Sequence, residues 1–127
     1  MVTIKEIMKQ DLVTLPYGSS ALEAARTMRQ RRIGSIFVRM GHRIVGIVTE
    51  ADIVREVVGA ERTPHFISVQ DIMSFPIIAI EERSQLTDAA DLMERHGTRH
   101  LAVTKSGEIV GVVSVRDLLH PVSIDEF

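Results

Sequence analysis

The chain has 127 residues, 45% of them hydrophobic, with 15 basic against 17 acidic side chains, a net charge of -2 and no cysteine. Disulfides and thiolate chemistry are thereby excluded, and no apolar run approaches the roughly 18 residues of a membrane span. Four Phe and one Tyr are the only aromatics, so Ile, Val, Leu, Met and Ala must fill the core of one domain, or of two small halves sharing a core.

The start of the chain, Met1-Val2-Thr3-Ile4-Lys5-Glu6, lacks a signal-peptide pattern, and a soluble, cytoplasmic protein is expected. Residues 1–64 carry 10 basic and 7 acidic side chains, whereas residues 65–127 carry 5 and 10. Neither half is basic enough to advertise nucleic-acid binding.

From the N-terminus, Thr3 and Glu6 have capping-box spacing and predict a short helix ending near Met8. Leu12-Val13-Thr14-Leu15, closed by Pro16, predicts an extended run. An amphipathic helix is expected over residues 20–31, with Leu22, Ala25 and Met28 as its apolar stripe and Ala24-Ala25 allowing close approach to a sheet. Arg26, Arg29, Arg31 and Arg32 form its solvated face. Residues 35–39 and 43–48 then make a hairpin that turns through Met40-Gly41-His42. A last helix runs from Thr49 to about Val58, and residues 59–65 are a linker.

The same order then recurs. Ser68 and Asp71 repeat the capping spacing, and Ile77-Ile78-Ala79-Ile80 repeats the extended run. A helix over 85–96 carries Leu86, Ala89, Ala90 and Met93. Strands over 100–104 and 108–113 turn through Lys105-Ser106-Gly107, and a helix runs from Ser114 to about Leu119. The acidic stretch 121–127 lacks periodicity and is expected to fray.

Slid against itself by 65 positions, the sequence matches without a gap from Ile7 to Val54, with 12 identities in 48 positions. That is a duplication. Its most informative stretch is Gly46-Ile47-Val48-Thr49-Glu50-Ala51-Asp52, which returns as Gly111-Val112-Val113-Ser114-Val115-Arg116-Asp117. A branched apolar pair followed by a hydroxyl and, three residues on, a carboxylate marks a strand-to-helix junction. Two readings stand side by side. Thr49 with Asp52, and Ser114 with Asp117, fit capping boxes that satisfy the helix's own N–H groups; the same junction also offers N–H groups and a positive dipole end to an anion.

Two repeats of about 60 residues, each with an Ile-Met start, a small-residue helix, a hairpin and a Gly-x-x-Thr/Ser-x-x-Asp junction, resemble the tandem cystathionine-β-synthase-type domains known as CBS pairs or Bateman modules. The resemblance covers essentially the whole chain: repeat 1 over 1–58, the linker, repeat 2 over 66–120 and a tail over 121–127. It implies an α/β (α+β) fold of two β-α-β-β-α units, joined through their sheets with pseudo-two-fold symmetry and leaving two clefts. In many members those clefts bind AMP, ADP, ATP, NAD or S-adenosylmethionine. The resemblance places Asp52 and Asp117 on ribose hydroxyls, Thr49 and Ser114 near ribose or phosphate, and Thr14, Leu15, Pro16, Ala79 and Ile80 against the base. It also implies a basic pair at the start of the first hairpin strand, met here by Arg99 and His100 in the second copy but by Gly34 and Ser35 in the first. Unequal clefts follow, the one with Arg99 and His100 gripping phosphate more tightly, whether it belongs with Asp117 or with Asp52.

Catalytic and metal signatures are missing. His42, His65, His96, His100 and His120 are scattered, His96 and His100 straddle the Gly97 break, and no Gly-x-Ser-x-Gly or phosphate-loop pattern occurs. His120 reads as a helix-end residue beside the dipole. The expected function is a non-enzymatic regulatory module, requiring no cofactor, that senses an adenosine nucleotide through a change of shape or assembly. As a homodimer it would act on a separate effector protein, with neither membrane nor nucleic acid as partner. The alternatives are a structural dimerisation module with vestigial pockets, a binder of S-adenosylmethionine or NAD, and a nucleic-acid binder using the arginine-rich first helix.

Overall fold

Two three-stranded sheets of the same design carry the fold, described for residues 1–119 in a computed structural model. In the first, β1 (Thr14–Pro16) runs parallel to β2 (Ser35–Met40), which pairs antiparallel with β3 (Arg43–Thr49). In the second, β4 (Ala79–Glu81), β5 (His100–Lys105) and β6 (Glu108–Ser114) repeat that order. Each parallel crossover contains an 11-residue helix, α2 (Ala21–Arg31) or α5 (Leu86–His96). The remaining helices are α1 (Ile4–Ile7), α3 (Glu50–Ile53), α4 (Val69–Ile72) and α6 (Val115–Leu119). A π-helical stretch, Val54–Val58, continues α3, and a 3-10 turn covers Pro64–Phe66. The expected tail and His120 lie outside the described residues.

Local chemistry accounts for most boundaries. Ser20 caps α2 by accepting from the Glu23 N–H at 3.1 Å, and the Gln85 N–H donates to the Asp88 carboxylate at 2.9 Å at the start of α5. Gly97, with φ 62°, ends α5 in the left-handed region and separates His96 from His100 as expected. The hairpins turn on two residues each rather than three. Ser106 and Gly107 both take positive φ, the requirement of the tight turn that matches strand twist.

Other expectations shift. The extended runs begin two residues later, at Thr14 and Ala79, because pairing with β2 and β5 sets their span. The buried face of α2 is Ala21, Ala24 and Met28, with Leu22 and Ala25 half-buried on its flanks. In α5, Ala89 and Met93 are buried while Ala90 is exposed. One alanine of each pair therefore meets the sheet. Arg26, Arg29, Arg31 and Arg32 are exposed, as expected of a solvated face.

The chain divides into two units, and they do not follow the order of the repeats. One is the continuous stretch Val13–Ile77; the other joins Met1–Leu12 to the chain from Ile78 onward. Each sheet thus receives the opening segment of the other repeat. In the second unit, the Ile4 and Lys5 N–H groups donate to the Ser84 and Glu82 carbonyls at 3.0 and 2.9 Å, and Lys9 exchanges two backbone bonds with Val112. In the first, Val69 and Gln70 donate to Ser19 and Tyr17 at 2.8 and 3.2 Å, and Ser74 exchanges two bonds with Ile47. Residue by residue, these are the same bonds 65 positions apart. They also correct the capping boxes expected at Thr3 with Glu6 and Ser68 with Asp71: neither Thr3 nor Ser68 makes a side-chain cap. Carbonyls of the facing loop satisfy the first-turn donors instead.

Two cores result. Ile67, Val69 and Ile72 join Ala21, Ala24, Met28, Ile36, Val38, Val48 and Val57 in the first unit. Ile4, fully buried, joins Ile80, Ala89, Met93, Leu101, Val103 and Val113 in the second. At about 1.5–3 kcal/mol per large buried apolar side chain, each imported segment contributes substantially to the unit it enters.

Candidate functional site

Pairing brings the predicted residues to one end of each sheet. In the first unit Ser35, at the start of β2, is opposite Thr49, at the end of β3, and Thr14 opens β1 opposite Phe37. In the second unit His100 is opposite Ser114, and Ala79 opens β4 opposite Ala102. The Gly34 carbonyl accepts from the Glu50 N–H at 3.0 Å, and the Arg99 carbonyl accepts from the Val115 N–H at 2.9 Å. Arg99 and His100 therefore belong to the unit of Asp117. Gly34 and Ser35 hold the equivalent places beside Asp52.

The junctions form as capping structures. Asp52 Oδ2 accepts from the Thr49 N–H at 2.8 Å and from its hydroxyl at 3.1 Å, while the Asp52 N–H donates back to Thr49 Oγ1 at 3.3 Å. Asp117 Oδ2 accepts from the Ser114 N–H at 2.8 Å and from its hydroxyl at 3.1 Å. The capping reading is thus what the side chains display. It occupies one oxygen of each acid. Asp52 Oδ1 faces Arg55 at 3.6 Å, and Asp117 Oδ1 faces Lys9 at 3.7 Å. The two carboxylate side chains are only 7% and 10% exposed, whereas Arg55 and Lys9 are 67% and 71% exposed. Each acid, Asp52 buried and Asp117 nearly so, is held in one orientation by its cap, and its second oxygen meets a solvated, weakly held cation.

The base-facing segments divide by strand alternation. Ile80 is buried in its unit's core, whereas Leu15 is half-buried and packs against the other core. Thr14 is half-buried, while Pro16 and Ala79 are exposed. Arg99 is exposed and His100 half-buried; the Thr98 hydroxyl donates to the His100 carbonyl and accepts from its N–H.

Sequence reasoning missed Lys9 and Arg55. Arg55 was discoverable from its three-residue spacing to Asp52 on a helix. Lys9 was not, because only the exchanged opening segment carries it to Asp117. The repeated glycines supply clearance: a Cβ on Gly46 would strike the Met73 side chain, and one on Gly111 would lie 2.8 Å from both Met8 Sδ and the Lys9 carbonyl. The repeated Gly and the repeated Ile-Met are two halves of one contact.

Among the described residues no cluster of His, Asp and Glu is placed to hold a metal, no buried side-chain polar atom lacks a partner, and no helix is long and apolar enough to cross a membrane.

A duplicated strand-helix-strand-strand-helix unit, each copy ending in a capped hydroxyl–carboxylate junction, defines a tandem α/β repeat protein. The CBS domain profile matches residues 4–59 and again 69–123, and the chain belongs to the CBS-domain family as a CBS domain pair. It is 34% identical over 120 residues to an uncharacterised protein of Methanopyrus kandleri, covering 93% of this chain and 61% of that relative's length. A CBS-domain protein from Burkholderia ambifaria superimposes with a TM-score of 0.90 at 30% identity, over 98% of this chain and 96% of that one. A hexameric CBS-CP12 protein from bloom-forming cyanobacteria superimposes with a TM-score of 0.88 at 26% identity, covering 99% of this chain and 74% of the other.

Proposed function

We propose that this CBS pair is a regulatory module that binds an adenosine nucleotide, of the AMP, ADP or ATP type, and converts its presence into a change of shape or assembly. The observation that carries this reading is the state of the two acids. Each is nearly buried, orientated by its cap, and has an Oδ1 whose partner is an exposed cation beyond 3.5 Å. A ribose offers two neighbouring hydroxyls, and a carboxylate oxygen with lone pairs to spare accepts them at little cost in reorganisation. The displaced Lys9 or Arg55 then has an anionic phosphate to turn toward.

The units differ in charge at this end. Arg99, His100 and Lys9 belong to the unit of Asp117, where the aligned positions in the other unit are Gly34, Ser35 and Ser74 and Arg55 is the cation facing Asp52. The Asp117 unit is therefore the one for di- and triphosphates, with the Asp52 unit favouring less charged adenosine compounds such as AMP or S-adenosylmethionine. The module binds its ligand without transforming it and reports to a separate effector protein in the reducing cytoplasm that a cysteine-free chain suits. Self-assembly is supported by the hexameric cyanobacterial neighbour.

A second reading has an observation of its own. The caps explain Thr49, Asp52, Ser114 and Asp117 without any ligand, which favours a structural association module. Titration calorimetry of the full chain with AMP, ADP, ATP, NAD and S-adenosylmethionine separates the two. Saturable heat with the adenosine phosphates is expected, together with a rise in melting temperature. Neither heat nor a thermal shift with any of the five leaves only the structural reading.

A further inference from the structure

The chain has no cysteine, so its oxidisable sulfur lies in six methionines. Met1 and Met40 are exposed, at 90% and 50%, whereas Met28 and Met93, aligned on α2 and α5, are sealed in the two cores at 7% and 4%. Met8 and Met73, also aligned, are half-buried at the rims of those cores. Each stands where an opening segment meets the sheet of its unit. A Cβ on Gly111 would lie 2.8 Å from Met8 Sδ, and one on Gly46 would strike Met73 Sδ, so each thioether rests directly on a strand backbone. The residue that follows closes the contact: Lys9 exchanges two backbone bonds with Val112, and Ser74 exchanges two with Ile47.

We propose that Met8 and Met73 are paired sites of reversible oxidation, at which a hydroperoxide undocks the opening segments from their sheets. The thioether sulfur attacks hydrogen peroxide, an S–O bond forms as the O–O bond breaks, and sulfur gives up two electrons. The departing hydroxide takes the proton of the transferred hydroxyl and leaves as water. The sulfoxide is larger and polar, and it is pressed between a strand with no room for a Cβ and the aliphatic side chains of a core. The two sites have different consequences. Met8 precedes Lys9, whose ammonium is 3.7 Å from Asp117 Oδ1, so oxidation there withdraws that cation. Met73 precedes Ser74, and Asp52 keeps Arg55. The proposal requires no nucleotide and stands apart from the ligand reading.

Hydrogen peroxide treatment of the full chain, read by peptide mass spectrometry, thermal melting and amide exchange, tests it. Met1 and Met40 should gain oxygen first, Met8 and Met73 next, and Met28 and Met93 last. Oxygen at Met8 and Met73 should lower the melting temperature by about 5 °C or more. Exchange at Lys9, Val112, Ser74 and Ile47 should quicken about tenfold or more. A methionine sulfoxide reductase supplied with a thiol should reverse both changes. The variant Met8→Leu/Met73→Leu keeps the apolar volume and should hold its melting temperature under the same treatment, and Met8→Leu alone should confine the faster exchange to Ser74 and Ile47. Oxidation of Met28 and Met93 ahead of Met8 and Met73 overturns the proposal. So does oxygen at Met8 and Met73 with melting and exchange unchanged, or an equal loss in the doubly substituted variant. Should a leucine variant not fold, wild-type molecules oxidised at one site or the other decide, and exchange that does not follow the oxidised site overturns it.

Discussion

Asp52 and Arg99 sit at the same end of their respective sheets and carry different kinds of consequence. Asp52 is buried and closes a helix N-terminus on the main chain of Thr49. Replacing it with Ala leaves that N–H and hydroxyl without their acceptor, and a loss of about 1–2 kcal/mol in urea unfolding is expected. Arg99 is exposed and lends only its carbonyl to the fold. Arg99→Ala should leave unfolding unchanged within about 0.5 kcal/mol. It should weaken ATP about tenfold while leaving adenosine binding intact, the loss of one charge-assisted contact. Equal ATP affinity in the variant would remove the argument for a phosphate-preferring unit.

At the scale of the element, the short opening segments matter more than their length suggests. Four-residue helices are not stable alone, and α1 and α4 persist because a facing loop accepts their first N–H groups and a sheet edge takes up the residues that follow. Methionine and glycine make that docking close. A Cβ at Gly46 meets only the flexible Met73 side chain, whereas one at Gly111 also meets the Lys9 carbonyl, which is fixed by its bonds to Val112. Gly46→Ala should cost about 1 kcal/mol and be relieved by Met73→Ala. Gly111→Ala should cost about 2–3 kcal/mol and gain little from Met8→Ala. Chemical denaturation of the two single and two double variants reads both differences, and equal rescue at the two glycines would contradict the docking geometry.

For the molecule as a whole, the exchange decides which pieces can fold. Residues 13–77 contain one sheet, its crossover helix and the imported Ile67, Val69 and Ile72 in continuous sequence. As a fragment they should keep native far-UV circular dichroism and unfold cooperatively, with the marginal stability of a 65-residue unit. Residues 1–58, a cut at the repeat boundary, lack those three side chains and the bonds from Ser74 to Ile47, and carry Ile4 with no core to enter. That fragment should be largely unfolded. A folded 1–58 fragment beside an unfolded 13–77 fragment would reverse this assignment of segments to units.

The sequence by itself determined what depends on near neighbours. The extent of the two long helices, the hairpins, and the hydroxyl–carboxylate junctions at Thr49 and Ser114 rest on patterns within about a dozen residues, where side-chain periodicity and capping chemistry act, and the duplication is legible by aligning the sequence with itself. Tertiary structure alone decided what depends on residues far apart in the chain. It sent residues 1–12 to the sheet that holds β6, set Lys9 beside Asp117, turned Ile80 into a core, and gave Gly46 and Gly111 their purpose as clearance for a methionine. Repeats of one design offer similar docking edges, so no local pattern states which edge a segment takes; chain connectivity and packing choose between them.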